Sequence, residues 1–286
     1  HRRTHWPAEA GEAKRHVGDP WARFFAIDPF TKKTIRPWEI GVDEGEGRCG
    51  PLPAEIREVR RSTNPAGGRH RVEPLDFRSM GGVLRLKPRE DRRLRRGHLW
   101  VFSNEIDVDA TPLATLQPGD LVEVRDAADR TLGFGYAHPR ALLSVRLLAR
   151  GRRAPDLPQL LRRRLTQALS LRERLYPAPF YRLVHGEGDL LPGLVVDRYG
   201  DVLVAQLTTA GMERLRPAVL AALVDVLAPR GILLRHDTPV RALEGLPQTI
   251  EVAYGTVPDE VALEEQGVRF LVPIWTGQKT GWFFDQ

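Results

Sequence analysis

Gly277-Gln278-Lys279-Thr280-Gly281-Trp282-Phe283-Phe284-Asp285-Gln286 is the stretch of this chain whose residue types suit chemistry best. Lys279 and Thr280 can hold an acidic or hydroxyl-bearing group, Phe283 can cover an apolar or flat surface, and Asp285 and Gln286 can orient amines and amides. A plainer reading is open too. Trp282, Phe283 and Phe284 are large rings that gain by burial, so they could simply pack one domain against another.

A second constellation joins charge to aromatics. Arg85, Lys87, Arg89, Arg92, Arg93, Arg95 and Arg96 precede Gly97-His98-Leu99-Trp100-Val101-Phe102. Arginine grips phosphates bidentately and stacks on unpaired bases, and His98 or Trp100 offers a flat surface, a combination that suits RNA. The competing reading makes Arg92 to Arg96 a solvated turn and puts Trp100 and Phe102 in a core. Arg235 and Asp237, two apart on an expected strand, share one face and form either a fixed ion pair or a phosphate site. His236 between them points away, as a surface or core histidine. Glu187, Asp189, Asp197 and Arg198 could order an RNA loop, or Asp189 and Asp201 could cap turns through their own backbone.

These residues need elements to position them. Residues 83–149 read as short strands between turn signals: Val83 to Lys87, Leu99 to Phe102, Leu121 to Arg125 after Pro118-Gly119-Asp120, Thr131 to Tyr136 and Leu142 to Leu148. That pattern predicts a compact β-barrel over 80–150. Apolar residues then recur at three- and four-residue spacing from Leu157 to Leu175, predicting an amphipathic connecting helix within 151–179, ended by Pro177 and Pro179. Strands at Tyr181 to His185, Leu194 to Arg198, Val202 to Leu207, Gly231 to Arg235 and Val268 to Val272, with a helix from Pro217 to Leu227, predict a mixed α/β unit over 180–274. The fold class is α+β. Residues 1–79, rich in Gly, Pro and Arg and without a sustained period, read as an extension that is disordered or not native, with Met80 as the start. A short module around Trp21 to Ile40 is the rival.

Composition sets outer bounds. The chain has 286 residues, 42% of them hydrophobic, enough for one large domain or two ordinary ones. Its formal charge of +6 favours a polyanionic partner. Cys49 is the only cysteine, which excludes an intrachain disulfide and a cysteine-based zinc site and fits a reducing cytoplasm. No apolar run approaches the roughly 18 residues of a membrane span. No other metal site is expected.

Several motifs occur in the order of a known family. The run Arg95 to Ile106 resembles the amino-terminal PUA domain of the bacterial class I S-adenosylmethionine-dependent rRNA methyltransferases that make 5-methylcytosine in large-subunit rRNA. Leu99 replaces that family's usual proline. Tyr181 to Asp189 and Leu191 to Asp201 resemble the start of its central domain, with His185 where the family usually has asparagine. Arg235-His236-Asp237 with Val240-Arg241 and Glu244-Gly245 resembles its arginine–aspartate segment. Gly277 to Gln286 resembles the entry to its methyltransferase domain. The resemblance covers about residues 82–286.

This resemblance implies that 275–286 begins a Rossmann-like domain and lies against S-adenosylmethionine, with Lys279, Thr280, Phe283, Asp285 and Gln286 as cofactor-binding residues. It implies large-subunit rRNA as partner, with Arg92, Arg93, Arg95, Arg96, His98 and Arg235 as RNA-binding residues, and it allows a homodimer. Methylation at cytosine carbon 5 needs a thiolate to add to carbon 6. Cys49 lies outside the matching region, and the glycine-rich cofactor loop is not seen, so the sequence as given is expected to bind RNA without catalysing methyl transfer, cut just inside the catalytic domain. No catalytic residue is assigned. The alternative is a non-enzymatic PUA-type RNA-binding adaptor. A piece of another PUA-bearing RNA modifier, such as a pseudouridine synthase, fits less well, because it has no place for Gln278 to Gln286.

Overall fold

The computed structural model describes residues 81–284 except Gln266, together with Phe77, Ala26–Ile27 and Thr34–Ile35. The last two are strands β1 (Ala26–Ile27) and β2 (Thr34–Ile35), which pair antiparallel in a unit of their own, residues 1–57. They fall within the stretch Trp21 to Ile40. The rest of the expected extension lies outside the described residues, apart from Phe77. Phe77 corrects the boundary at residue 79: it is 1% exposed and meets Phe134 edge-on at 5.4 Å between ring centroids. A lone ring in a Gly- and Pro-rich stretch gives no periodic signal, so sequence reading missed it.

The barrel sheet has the order β3 (Gly82–Arg85), β5 (Asp120–Arg125), β6 (Thr131–Ala137), β7 (Leu143–Arg150), β4 (Trp100–Phe102). β3 runs parallel to β5, and the other pairs are antiparallel. Alternation sends Leu84, Leu86, Val101, Val122, Val124, Val145 and Leu147 into the barrel core. The opposite face carries Leu121, Phe134, Tyr136 and Leu148 into the core of the next unit.

That next unit is a five-stranded sheet in the order β12 (Ile250–Gly255), β11 (Gly231–Arg235), β10 (Val202–Leu207), β9 (Leu194–Tyr199), β8 (Phe180–His185). β10 and β11 are parallel and joined by α3 (Ala210–Arg214) and α4 (Arg216–Leu227). One sheet face packs on α4 and on α2 (Leu157–Leu175), through Leu160, Leu161, Leu165, Val219 and Leu223. Asp156 caps α2 by accepting from the Gln159 amide at 2.8 Å. The expected connector is therefore part of the central core.

The other sheet face is covered by a hairpin, β13 (Glu260–Glu265) with β14 (Val268–Pro273), and by the segment 274–284. Among the described residues, parallel pairing occurs at β3–β5 and β10–β11, so no doubly wound sheet is described. Residues 274–284 form turns on the central unit. No described helix is long and apolar enough to cross a membrane.

Candidate functional site

Arg92, Arg93, Arg95, Arg96 and His98, the barrel residues expected to meet RNA, are divided by the fold. Arg92 to Arg95 form a one-turn helix, α1, with Arg96 as its C-cap. Positions three and four apart share a helix side, so Arg92 and Arg96 emerge together into solvent, followed by exposed His98. Leu94 points inward and fixes the turn to the barrel core. Arg93 and Arg95 turn to protein partners instead. Arg93 donates to Glu105 at 2.9 Å and lies 4.9 Å from the Phe102 ring centroid. Arg95 bonds Asp91, and reaches Asp126 at 2.8 Å. Burial pushes the Asp126 carboxyl up, but the backbone N–H and guanidinium of Arg130 and the Ala128 N–H outweigh it and hold the group below its ordinary value. It therefore stays an anion for Arg95.

Trp100 is not a core residue. The residue is 39% exposed and its Nε1 donates to Glu187 at 3.0 Å, across to the turn Gly186–Asp189 of the central unit. This contact opens a polar seam along one row of the barrel. Across the strands, Trp100 pairs with Arg146, and Arg146 with Tyr136. Arg146 reaches Glu244 at 3.0 Å. The Tyr136 hydroxyl donates its one proton to the Pro192 carbonyl at 2.8 Å and so must accept from Thr209 Oγ1, 2.9 Å away. A Cβ at Gly211 would overlap the Tyr136 ring, so glycine is what lets the helix backbone lie against it. Arg164 of α2 closes the seam by donating to the carbonyls of Leu148 and Leu190. Burial, with Arg163 nearby, lowers its pKa to about 10.

The terminal motif sits on a second set of buried charges. Asp197 is fully buried and accepts from Arg182 at 2.8 and 3.2 Å and from the Thr280 hydroxyl. Arg235 is 3% exposed; it pairs with Asp237 at 3.0 and 2.8 Å and donates to the carbonyls of Ile274 at 2.6 Å and Gly277 at 2.9 Å. Trp282 lies against Phe270, and Phe284 against Tyr199, with centroids 4.8 and 5.2 Å apart.

This geometry corrects several expectations. Arg235 is withdrawn from a phosphate, because it is buried and gives four of its five N–H groups to Asp237 and two carbonyls. Thr280 is 1% exposed and bonded to Asp197, which withdraws its hydroxyl from any ligand. Lys279 and Phe283 remain exposed, with the ammonium 5.3 Å from the ring centroid. Asp285 and Gln286 lie outside the described residues. Asp189 caps the His185 amide at 2.7 Å, as a turn carboxylate would, and also holds Arg172 at 2.5 and 2.8 Å. His236 is a core histidine: Nε2 accepts from the Leu207 amide at 3.2 Å, which leaves the proton on Nδ1. Arg164, Tyr136 and Arg146 escaped sequence reading, and Glu244 was noted there only as part of a motif, without this role. An arginine on the apolar stripe of α2 was the one available signal.

The comparisons fit the geometry. A family of PUA-like domains matches residues 84–150, the barrel, so the chain carries a PUA-like domain beside a mixed α/β unit. Among relatives, the Ribosomal RNA large subunit methyltransferase I of Pseudoalteromonas atlantica is 34% identical over 210 residues, 72% of this chain and 52% of that protein. The protein of the same name from Tolumonas auensis is 38% identical over 213 residues, 72% of this chain and 53% of that protein. This chain thus spans about half the length of the curated relatives it matches. A structure assigned as a SAM-dependent methyltransferase from Streptococcus mutans shares the fold, with a TM-score of 0.58 at 20% identity over 71% of this chain and 51% of that one. A second structure with the same scores is an assigned methyltransferase complexed with SAH.

Proposed function

We propose that this chain supplies the rRNA-docking part of a class I S-adenosylmethionine-dependent methyltransferase acting on large-subunit rRNA in the cytoplasm, at cytosine carbon 5. The observation that carries the reading is the exposed trio Arg92, Arg96 and His98 on a PUA-like barrel, in a chain 34% identical over 210 residues to a protein named for large-subunit rRNA methylation. Arg92 and Arg96 have no ion-pair partner among the described residues, so nothing described there competes with a phosphate. S-adenosylmethionine is the proposed methyl donor, and Lys279 and Phe283 are the described residues open to it. Lysine suits a carboxylate, and the ring suits adenine. Together with Asp285 and Gln286 they form the proposed cofactor-facing set, from which Thr280 is removed.

These 286 residues dock RNA without transferring the methyl group themselves. The cytosine reaction needs a thiolate, and Cys49, the only cysteine, lies outside the stretch 82–286 that resembles the methyltransferases. The test is filter binding of the whole chain to large-subunit rRNA fragments across a salt series, with tritiated S-adenosylmethionine in a parallel tube. The log affinity is expected to fall with log salt by about 0.7–0.9 for each phosphate neutralised, with no label entering RNA. Absent or salt-independent binding contradicts docking, and labelled cytosine contradicts the assignment of docking alone.

A further inference from the structure

We propose that Asp197 and Arg235 are positioning residues that clamp the terminal motif so that Lys279 and Phe283 face outward to a ligand bearing an anionic group and a flat ring. The second half rests on the reading that these two residues meet S-adenosylmethionine.

A buried charge is tolerated only when its bonding capacity is used, and a central sheet has cheaper apolar solutions. Here one sheet face carries a carboxylate 0% exposed and a guanidinium 3% exposed, on β9 and at the end of β11. Each has a local partner, Arg182 or Asp237, and each has a second partner in the terminal segment. Arg235 fixes the carbonyls of Ile274 and Gly277; Asp197 fixes the Thr280 hydroxyl, and the neighbouring Tyr199 hydroxyl donates to the Thr280 carbonyl at 3.1 Å.

Apolar packing by Ile274, Trp282 and Phe284 holds the segment near the sheet but does not set the rotation of its backbone. Directional bonds do. They fall at residues 277 and 280, on either side of Lys279, which takes the left-handed φ of +60° that a non-glycine residue adopts at a cost. Anchors on both sides keep it there. The lysine side chain consequently leaves the sheet and meets the exposed Phe283 ring.

The test is amide hydrogen exchange of the whole chain, followed at the bonded amides of Gly277 and Gly281. Thr280→Val and Asp197→Asn are expected to speed exchange there by about tenfold, while β10 and RNA retention stay as they are. Thr280→Ser, which restores the hydroxyl, is expected to restore slow exchange. Arg235→Lys is expected to loosen Gly277, since an ammonium cannot span both carbonyls and Asp237 as the planar guanidinium does. Unchanged exchange at Gly281 in Thr280→Val, or acceleration spread evenly over the central sheet, overturns the clamp. Added S-adenosylhomocysteine is expected to protect the segment in the parent and in Thr280→Ser but not in Thr280→Val. If it protects neither the parent nor any variant while Thr280→Val still loosens the segment, the clamp is supported and the cofactor reading of Lys279 and Phe283 is overturned.

Discussion

Arg92 and Arg96 on the barrel, and Arg235 and Arg241 in the central unit, are the same side chain put to opposite uses. The first two extend into solvent from a one-turn helix and have no described ion-pair partner. The second two are 3% and 1% exposed, and their donors end on backbone carbonyls and carboxylates. Arg241 bonds the carbonyl of Leu207 and reaches that of Pro247 at 2.9 Å and Glu213 at 2.8 Å. A positive chain thus divides its arginines into free charge that can meet a polyanion and spent charge that holds loops to a sheet. Total charge says nothing about this division; only the partners do.

The division can be broken most severely from the buried side. Arg241→Leu removes the donor from two carbonyls and leaves Glu213 only the longer approach of Arg216 at 3.6 Å, and is expected to cost about 3–5 kcal/mol in a urea melt, without weakening RNA retention by the folded fraction. A loss under 1 kcal/mol would mean that the buried arginine is idle. Acid comes next, through His236. Its pKa is lowered to about 3 by burial first, then by Arg241 and Arg216, against the smaller pull of Glu251 and Asp237, with Glu213 3.9 Å from Nδ1. The unfolded chain takes up this proton near pH 6.5 and the folded chain only near pH 3. The contribution is therefore present above about pH 6.5 and lost as pH falls through that window, by up to about 1.4 kcal/mol per unit. His236→Gln should flatten this limb of the stability profile, and an unchanged limb assigns the acid loss to other groups.

The seam between barrel and central unit gives a smaller effect. Tyr136→Phe removes the bond to Pro192 and the acceptor for Thr209, for an expected loss of about 1–2 kcal/mol in the same melt. Burial raises the pKa of this hydroxyl, so it stays protonated and the loss should not vary between neutral and mildly alkaline pH. Smallest of all is Arg162→Ala on α2. The ion pair with Asp225 is about half exposed on both sides, and the expected change is under about 0.5 kcal/mol.

Most strands could be read because their apolar residues alternate and glycine or proline marks their ends. Val202 to Leu207 and Gly231 to Arg235 match the observed strands residue for residue. β12 was missed because it is an edge strand whose residues are all partly exposed, and β13 because Glu260, Glu264 and Glu265 dilute its two buried positions. The exposed side of the site could be read as well: a run of arginines before His98 is visible in any sequence. Its buried side could not. Arg235 is withdrawn from solvent by the carbonyl of Ile274, 39 residues away, and Thr280 by Asp197, 83 residues away. Arg95 stays about half exposed, but its guanidinium is engaged by Asp126, 31 residues away. Local pattern announces a cation or a hydroxyl, whereas the fold decides whether it is still available.

The most direct test pairs Arg92→Glu/Arg96→Glu with Arg235→Gln and measures both rRNA affinity across salt and stability in urea for each. The exposed pair is expected to lose at least about tenfold in affinity and to show a shallower salt slope, with stability within about 0.5 kcal/mol of the parent. Arg235→Gln is expected to lose about 3 kcal/mol of stability and, where folded, to keep both affinity and slope. A flattened salt slope in Arg235→Gln, or parent-like rRNA binding by the exposed pair, contradicts this division of the arginines.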